Sequence, residues 1–356
     1  MIPDKRAPGG ILLSAVVVNW NHGDFIPACL HALTTDGKAL LSAGALEIVV
    51  VDNGSTDRSP EWLARAYPAL RLLRFDENHG FAYALNRGIR STSGAFVLSL
   101  NPDVVIRPGF LQALIEGIQK PPFTTKTHVG MAAPKLLRAD APGRLDSTGL
   151  FVDRRRRPYD RGQGEVDRGQ YDGLTDVFGP CGAAALYRRE MLEDVADPTQ
   201  PDEYLDELFF AYCEDADLAW RAQLRGWRCV YVPTATATHV RGWGDALLKP
   251  GHARKGTRGP RLALRNRYLM TLKNDTWQHT VRDLPHILAA ELPRLAYLAF
   301  TRPGVLLALT DLARACPSAL RKRRRIRSRQ LVGDATLRAW FIPPKSQHLN
   351  PSQSAW

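Results

Sequence analysis

The chain has 356 residues, 44% of them hydrophobic and 24% charged, the balance of a globular protein with room for two domains or one large domain with additions. Its formal net charge of +12 suits an anionic partner: nucleotide phosphates, nucleic acid or anionic lipid. No uninterrupted apolar run approaches the roughly 18 residues of a membrane-spanning helix, so no such helix is expected.

Residues 1–10 mix basic residues with Asp4 and two prolines, and the apolar run after them ends at Asn19 without a small-residue cleavage pattern. That run reads as a first core strand, not a signal peptide. Cys29, Cys181, Cys213, Cys229 and Cys316 are scattered without metal-ligand spacing, so reduced thiols in a cytoplasmic protein are expected.

Residues 12–18 are continuously apolar and rich in β-branched side chains, the pattern of a strand buried on both faces. Helical spacing follows over 25–41, then a second buried strand over 46–51. A helix with Pro60 in its first turn comes next, then a strand over 70–75, a helix over 81–90 and a strand over 95–100. Strand and helix alternate, which predicts an α/β fold: a mainly parallel twisted sheet with helices on both faces. Ligands of such sheets bind beyond the carboxyl ends of the strands. Those ends carry residues 19–22, 52–57 and 101–103, all polar. Neither GxGxxG nor GxxxxGK[ST] is present. Asp52 is suited to accept from a base N–H or a ribose hydroxyl, while Asp52-Asn53-Gly54 equally makes a tight turn. Asp103 is a candidate ligand for a hard cation beside a diphosphate, or a turn residue before Pro108.

In the second half, strand and turn are expected over 130–137 and 146–149. Residues 153–173 are polar and rich in Arg and Gly, and read as a mobile loop whose Arg154 to Arg157 either touch phosphate or are solvated. Gly179 to Leu186 offers small residues that let another chain or ligand approach the backbone. Glu214 and Asp215 sit at a loop-to-helix junction. Acids there complement the helix dipole, and a positioned carboxylate there also makes a general base. A strand over 228–232 leads to His239.

Val16-Val17-Val18-Asn19-Trp20-Asn21, Val50-Val51-Asp52-Asn53-Gly54-Ser55-Thr56-Asp57, Asn78-His79-Gly80-Phe81-Ala82-Tyr83-Ala84-Leu85-Asn86-Arg87-Gly88 and Leu100-Asn101-Pro102-Asp103, in this order, resemble a family 2 glycosyltransferase of the GT-A fold. Asn-Pro-Asp in place of the usual Asp-x-Asp resembles the bacterial rhamnosyltransferase-like branch. The resemblance covers roughly residues 11–245. It implies a nucleotide-sugar-binding half over 1–105, drawing on Asn19, Asn21, Asp52, Asn53, Asn78, Asn86, Arg87, Asn101 and Asp103. It implies an acceptor-binding and catalytic half over 106–258. By the same resemblance Asp215 matches the general base and Glu214 a neighbour that orients the site. Asp103 and His239 would hold a divalent cation, Mg²⁺ or Mn²⁺, and Gly182, Ala183, Trp243 and Arg265 would lie on the acceptor side. Asp217 and Arg221 read as helix braces.

Residues 259–342 read as a helical, basic extension and a flexible tail is expected over 343–356. From 284 to 320 the chain is rich in Leu and Ala and broken by Pro285, Pro293, Pro303 and Pro317, and the basic run Arg321 to Arg329 follows. This reads as short amphipathic helices on an anionic membrane surface, with a packed tail or a homodimer contact as the alternatives. The expected activity is inverting, metal-dependent transfer of L-rhamnose from dTDP-L-rhamnose to a hydroxyl of a polyprenyl-diphosphate-linked saccharide or cell-surface glycan. The expected place is the cytoplasmic, inner face of a bacterial plasma membrane, as a peripheral protein. A UDP-sugar donor is the alternative within the class. A nucleic-acid-binding protein is the alternative from another class, but aromatic RNA-binding motifs, helix-turn-helix and zinc patterns are all missing, so no nucleic-acid partner is expected.

Overall fold

The computed structural model describes residues 10–121, 128–173, 175–240 and 256–341. Trp243 and the tail over 343–356 lie outside the described residues. The first part runs β1 (Leu13–Asn19), α1 (Ile26–Asp36), α2 (Lys38–Ser42), β2 (Leu46–Asn53), α3 (Ser59–Ala66), β3 (Arg71–Phe75), α4 (Phe81–Arg90), β4 (Phe96–Leu100), β5 (Val104–Ile106) and α5 (Phe110–Gln119). β1 is apolar without alternation because both faces are covered. Leu13, Ala15 and Val17 enter one core with α1 and α5, while Val16 and Val18 enter the other with α4. The helix expected over 25–41 divides at Gly37. A Cβ there would lie 2.5 Å from Leu46 Cδ2 and 2.9 Å from the Leu33 carbonyl, so only glycine fits the corner.

The second part runs β6 (His128–Arg138), β7 (Leu145–Ser147), β8 (Leu150–Val152), β9 (Pro158–Asp160), β10 (Asp176–Val177), β11 (Ala184–Arg188), α6 (Arg189–Val195), α7 (Glu214–Leu224) and β12 (Trp227–His239). Both parts share one ten-stranded sheet in the order β10-β12-β6-β11-β4-β1-β2-β3, with β5 on β12 and β7 on β6. β3, β2, β1 and β4 are parallel. β11 runs antiparallel between β4 and β6, and β12 is again parallel to β6. The carboxyl ends of β1, β2, β4 and β12 and the amino end of β11 therefore meet at one edge.

Residues 153–173 are not the mobile loop the composition suggests. They continue the β8–β9 hairpin, and Arg156 is only 2% exposed. Its Nε lies 2.8 Å from Asp275 Oδ2 and its Nη1 3.1 Å from Asp283 Oδ2, while Arg154 Nη2 lies 2.9 Å from Asp283 Oδ1. Arg154 and Arg156 are thus tied to the C-terminal helices instead of to phosphate or solvent.

Those helices are α8 (Arg258–Asn274), α9 (Trp277–Thr301), α10 (Leu307–Ser328) and α11 (Asp334–Phe341). They are longer than the prolines imply: α9 contains Pro285 and Pro293, and α10 contains Pro317. A proline removes one helix bond, but ion pairs on the inner face carry α9 past its two. The basic run is also largely committed within the fold. Lys322 bridges Glu203 (2.7 Å) and Asp206 (2.8 Å), and Arg325 Nη1 lies 2.7 Å from Asp197 Oδ2. Arg329 donates to the Ala196 and Asp194 carbonyls at 2.7 Å each. These partners are 116 to 135 positions away, so nothing local signals them.

Lys273, 1% exposed, is the central ion of this packing. Its ammonium contacts Asp206 and lies 2.8 Å from Asp217 Oδ1, and Arg221 closes on the other oxygen of Asp217 at 3.0 Å. Burial would raise Asp206, but Lys273 and Lys322 hold it well below the usual carboxylate range. Lys273→Met would remove the cation that two buried carboxylates share, leaving Asp206 with Lys322 and Asp217 with Arg221. It is expected to cost about 3–5 kcal/mol, read as a lower urea midpoint.

Candidate active site

The shared edge gathers most of the side chains that the sequence nominates. Asn19 and Asp52 are register partners at the ends of β1 and β2, both fully buried. Asn19 Nδ2 donates to Asp52 Oδ1 (2.9 Å), Ser55 Oγ (3.1 Å) and Ser59 Oγ (2.8 Å). Asn21 adopts a left-handed φ of 56°, which Asn tolerates, and its Oδ1 accepts from the Thr56 amide at 2.7 Å. Asn53 donates to Asn78 Oδ1 (3.0 Å) and accepts from the His79 amide (3.1 Å). A Cβ on Gly54 would fall 2.4 Å from the Glu77 carbonyl carbon, so the two loops touch backbone to backbone. The result is a rigid polar rim along β1 and β2.

Past the end of β4, the Asn101 amide donates to the Ala183 carbonyl at 2.9 Å. Asp103 and His239, both buried, face each other with Nε2 and Oδ2 3.5 Å apart. The other ring nitrogen, Nδ1, lies 2.7 Å from Asp146 Oδ2, on a carboxylate with no exposed surface. Burial alone would lower the imidazole pKa, but the hydrogen bonds and charges of Asp103 and Asp146 outweigh it and push it up to about 9. Asp103 Oδ1 is buried without a hydrogen-bond partner. Asp146 is the residue that sequence reasoning missed: it looked like part of a turn, and its role follows only from β7 pairing with β6 beside the end of β12. Among the described residues no group of three or more His, Cys, Asp or Glu side chains is placed to hold a metal unaided. Asp103 and His239 form an incomplete donor pair.

Glu214 and Asp215 open α7. Asp215 Oδ2 accepts from the Gly182 amide at 2.8 Å and Oδ1 from the Ala216 amide at 2.7 Å. Burial raises its pKa despite these bonds. Glu214 is more deeply buried, and desolvation, followed by the charge of Asp215, pushes it up to about 8. Its Oε2 has no partner. The turn before them is strained, since Phe210, Tyr212 and Cys213 have φ of 63°, 75° and 65°. Asn266 of α8, fully buried, holds it by donating to the carbonyls of Phe209 (2.7 Å), Ala211 (2.7 Å) and Tyr212 (2.9 Å). Asn in mid-helix is unfavourable unless its side chain has such work, and that was the only sequence signal for it.

Three nominated residues are spent elsewhere. Asn86 is fully buried, donating to the Leu205 carbonyl (2.8 Å) and Glu207 Oε1 (3.1 Å) and accepting from the Leu205 amide (2.9 Å). Arg87 stacks 4.1 Å from the Tyr83 centroid and pairs with Glu207 at 3.2 Å. Both anchor the segment leading to α7. Arg265 donates to the Leu208 (2.6 Å) and Phe209 (3.2 Å) carbonyls, supporting the strained turn.

Residues 14–196, just over half the chain, match the model of glycosyl transferase family 2. The chain belongs to this family. Over 258 residues it is 28% identical to the N-acetylglucosaminyl-diphospho-decaprenol L-rhamnosyltransferase of Mycobacterium tuberculosis, covering 64% of this chain and 76% of that protein. A shorter match, 34% over 106 residues and 29% of each chain, is to the uncharacterized glycosyltransferase YibD of Escherichia coli. Among solved structures, TarS 1-349 of S. aureus in complex with UDP-GlcNAc aligns over 90% of this chain and 88% of that one, with TM-score 0.54 and 19% identity. GalNAc-T7 with UDP, GalNAc and Mn²⁺ aligns with TM-score 0.55 and 14% identity over 79% of this chain, which spans about half (51%) of that structure. These likenesses establish the GT-A fold for this family 2 protein.

Asn266→Ala should leave the Ala211 and Tyr212 carbonyls unpaired and take one donor from that of Phe209. Glycosyl transfer is expected to fall by about tenfold or more through kcat, with the melting temperature lower but the protein folded, as stopped-time transfer assays and calorimetry would show.

Proposed function

We propose that the chain is an inverting, metal-dependent rhamnosyltransferase that moves L-rhamnose from dTDP-L-rhamnose to a hydroxyl of a polyprenyl-diphosphate-linked saccharide, at the cytoplasmic face of a membrane. The observation that carries the catalytic reading is the pairing of Asp103 with His239, from distant parts of the chain, at the edge where Asp215 is also held. The donor and acceptor classes draw support from the named activity of the Mycobacterium tuberculosis relative. A UDP-sugar is the competing donor.

On this reading the rim, with Asn21 and Asn78 at its surface on a buried base of Asn19, Asp52 and Asn53, receives the nucleoside, and Asn101 and Asp103 face its diphosphate. The buried, unpartnered Asp103 Oδ1 and the His239 Nε2, its ring fixed from behind by Asp146, fit a hard cation that would displace the proton the two carboxylates keep on the ring and would take its remaining ligands from phosphate oxygens and water. When bound, Mg²⁺ or Mn²⁺ would supply positive charge for the departing diphosphate. Asp215, its carboxylate oriented by the Gly182 and Ala216 amides, takes the proton of the acceptor hydroxyl as it attacks the anomeric carbon. One base acting in one displacement inverts that centre. Glu214, raised to about 8, is a neutral acid at pH 7 and so adds no second negative charge beside the base.

Asp215→Asn is expected to lower transfer by about 10²–10⁴-fold with donor binding retained, whereas Glu214→Gln, which keeps a neutral group, stays within about tenfold. A Glu214→Gln enzyme as inactive as Asp215→Asn would give the proton to Glu214. The same burial has a pH signature. Glu214 has a folded pKa above its unfolded value of about 4.3, so its contribution is fully present below that pH and is lost as pH rises to about 8. Melting curves between pH 5 and 9 should show Glu214→Gln gaining on the wild type as pH rises. Asp146→Asn should weaken Mn²⁺ binding by about 10–100-fold in titration calorimetry with donor present.

A further inference from the structure

Of the four consecutive arginines over 154–157, Arg154 and Arg156 are committed to Asp275 and Asp283. Arg157 lies among other arginines. The charge of Arg267, on α8, acts on it, and the charges of Arg267 and Arg157 both act on Arg294, on α9. Asp153 and Glu291 are the acids acting on this group, and Arg155 adds a fourth cation. Gathering like charges in a half-buried place costs free energy unless anionic groups offset them. Burial, and then the charge of Arg267, holds Arg157 below its ordinary value and pushes Arg294 down to about 10.

The centre of the group is a one-pronged ion pair. Arg267 and Glu291 are each about 5% exposed, and Arg267 Nη2 contacts Glu291 Oε2, which also accepts from the Tyr268 hydroxyl. Arg267 Nη1 and Glu291 Oε1 are both buried without a hydrogen-bond partner. The pair thus has one donor and one acceptor to spare. Arg294, three residues after Glu291, is half-buried and makes no hydrogen bond or ion pair among the described residues. The group also borders the catalytic base. Arg267 is near enough to Cys213, the residue before Glu214, for its charge to act on the thiol, as those of Asp215 and Glu214 do. On the hairpin side, the charge of Asp160, three positions after Arg157, reaches Asp215.

We propose that Arg157, Arg267 and Arg294 hold the phosphate of a glycosyl phosphate, the one carried by the acceptor, while Glu291 Oε1 accepts from a hydroxyl of its sugar. Phosphoryl oxygens match guanidinium donors, and the sugar hydroxyl supplies the donor that Oε1 lacks. A bare phosphate would answer only the first need. The donor's diphosphate is the other candidate, but the rim proposed for the donor stands on the ends of β1, β2 and β4, and none of those strands contributes to this group. The proposal deepens the proposed function and rests on it: the diphosphate between saccharide and polyprenyl would be anchored here, with the saccharide laid toward Asp215.

Titration calorimetry of the full chain with α-glucose 1-phosphate, in EDTA so that no cation bridges phosphate to Asp103 and His239, tests it. Wild-type protein is expected to bind this probe about tenfold or more tighter than methyl α-glucoside and than inorganic phosphate. Arg294→Gln and Arg157→Gln should each lose about tenfold or more of that affinity. The melting temperature of Arg294→Gln should not fall, because the change removes a half-buried charge that no acid pairs. No binding by wild type, or variants that bind as wild type does, overturns the proposal. Equal affinity for inorganic phosphate overturns the assignment to a glycosyl phosphate. Displacement of the probe by dTDP or UDP would give the group to the donor and overturns it too. In transfer assays Arg294→Gln should raise the KM for the lipid-linked acceptor by about tenfold or more, with the donor KM within about threefold. A wild-type protein that transfers nothing, yet binds the probe in a way both variants lose, would defeat the proposed function and leave the anion site standing.

Discussion

One buried carboxamide governs the approach to the active site. Between Phe209 and Glu214 the backbone visits the left-handed region three times without a glycine, at a cost of order 1–3 kcal/mol for each residue. Asn266 returns three hydrogen bonds to that turn, and Arg265 adds two more. The turn aims α7 so that Asp215 meets the Gly182 amide, and it also delivers the Phe210 carbonyl to the Ala82 amide of α4 at 3.2 Å. Gly80 permits that contact: a Cβ would lie 2.6 Å from the Phe210 oxygen. The first helical element of the extension thus helps to hold the turn that positions Asp215, although it lies beyond the segment matched by the family model.

The net charge of +12 misleads if it is read as free surface. Arg154 and Arg156 hold the β8–β9 hairpin to α9, Lys273 holds α8 to α7, and Lys322, Arg325 and Arg329 hold α10 to the segment between α6 and α7. Most are partly or fully buried and several share a carboxylate with a second cation, which makes these contacts specific as well as cohesive. A run of cations in a sequence is a statement about composition. Whether it is a binding surface depends on acids placed by the fold.

The sequence was most legible where structure is local. The β1 and β2 runs, the polar ends of their strands and the Asp-Asn-Gly corner each announce themselves within ten residues, and the structure sets Asn19 against Asp52 as strand partners. Legibility failed where a partner lies far along the chain. Asp146 meets His239 across 93 positions, and Asn266 meets the turn across 54 to 57. Asn86 looked like a ligand because its motif sits at the rim, yet both its donors and its oxygen are engaged by residues about 120 positions later. The hairpin over 153–173 was misread for the same reason: polar composition looks mobile until Asp275 and Asp283 are brought beside it.

The separation between the two halves of the site is bridged by very little. Asn101, at the end of β4, donates its amide to the Ala183 carbonyl, and the preceding residue, Gly182, donates its amide to Asp215. The strand end that leads to Asp103 and the carboxylate that opens α7 are therefore referenced to two consecutive residues at the start of β11. No rotatable side chain intervenes on the β11 side, so their spacing is set by peptide geometry and by the sheet pairing of Ala184 with Leu100. A Cβ at Gly182 would sit 3.0 Å from Asp215 Oδ2, tight enough to displace the carboxylate it now orients. The small residues of this segment accordingly serve two purposes. They leave space for the Asp215 carboxylate, and they let backbone amides act as the fixed points from which both sides of the site are measured.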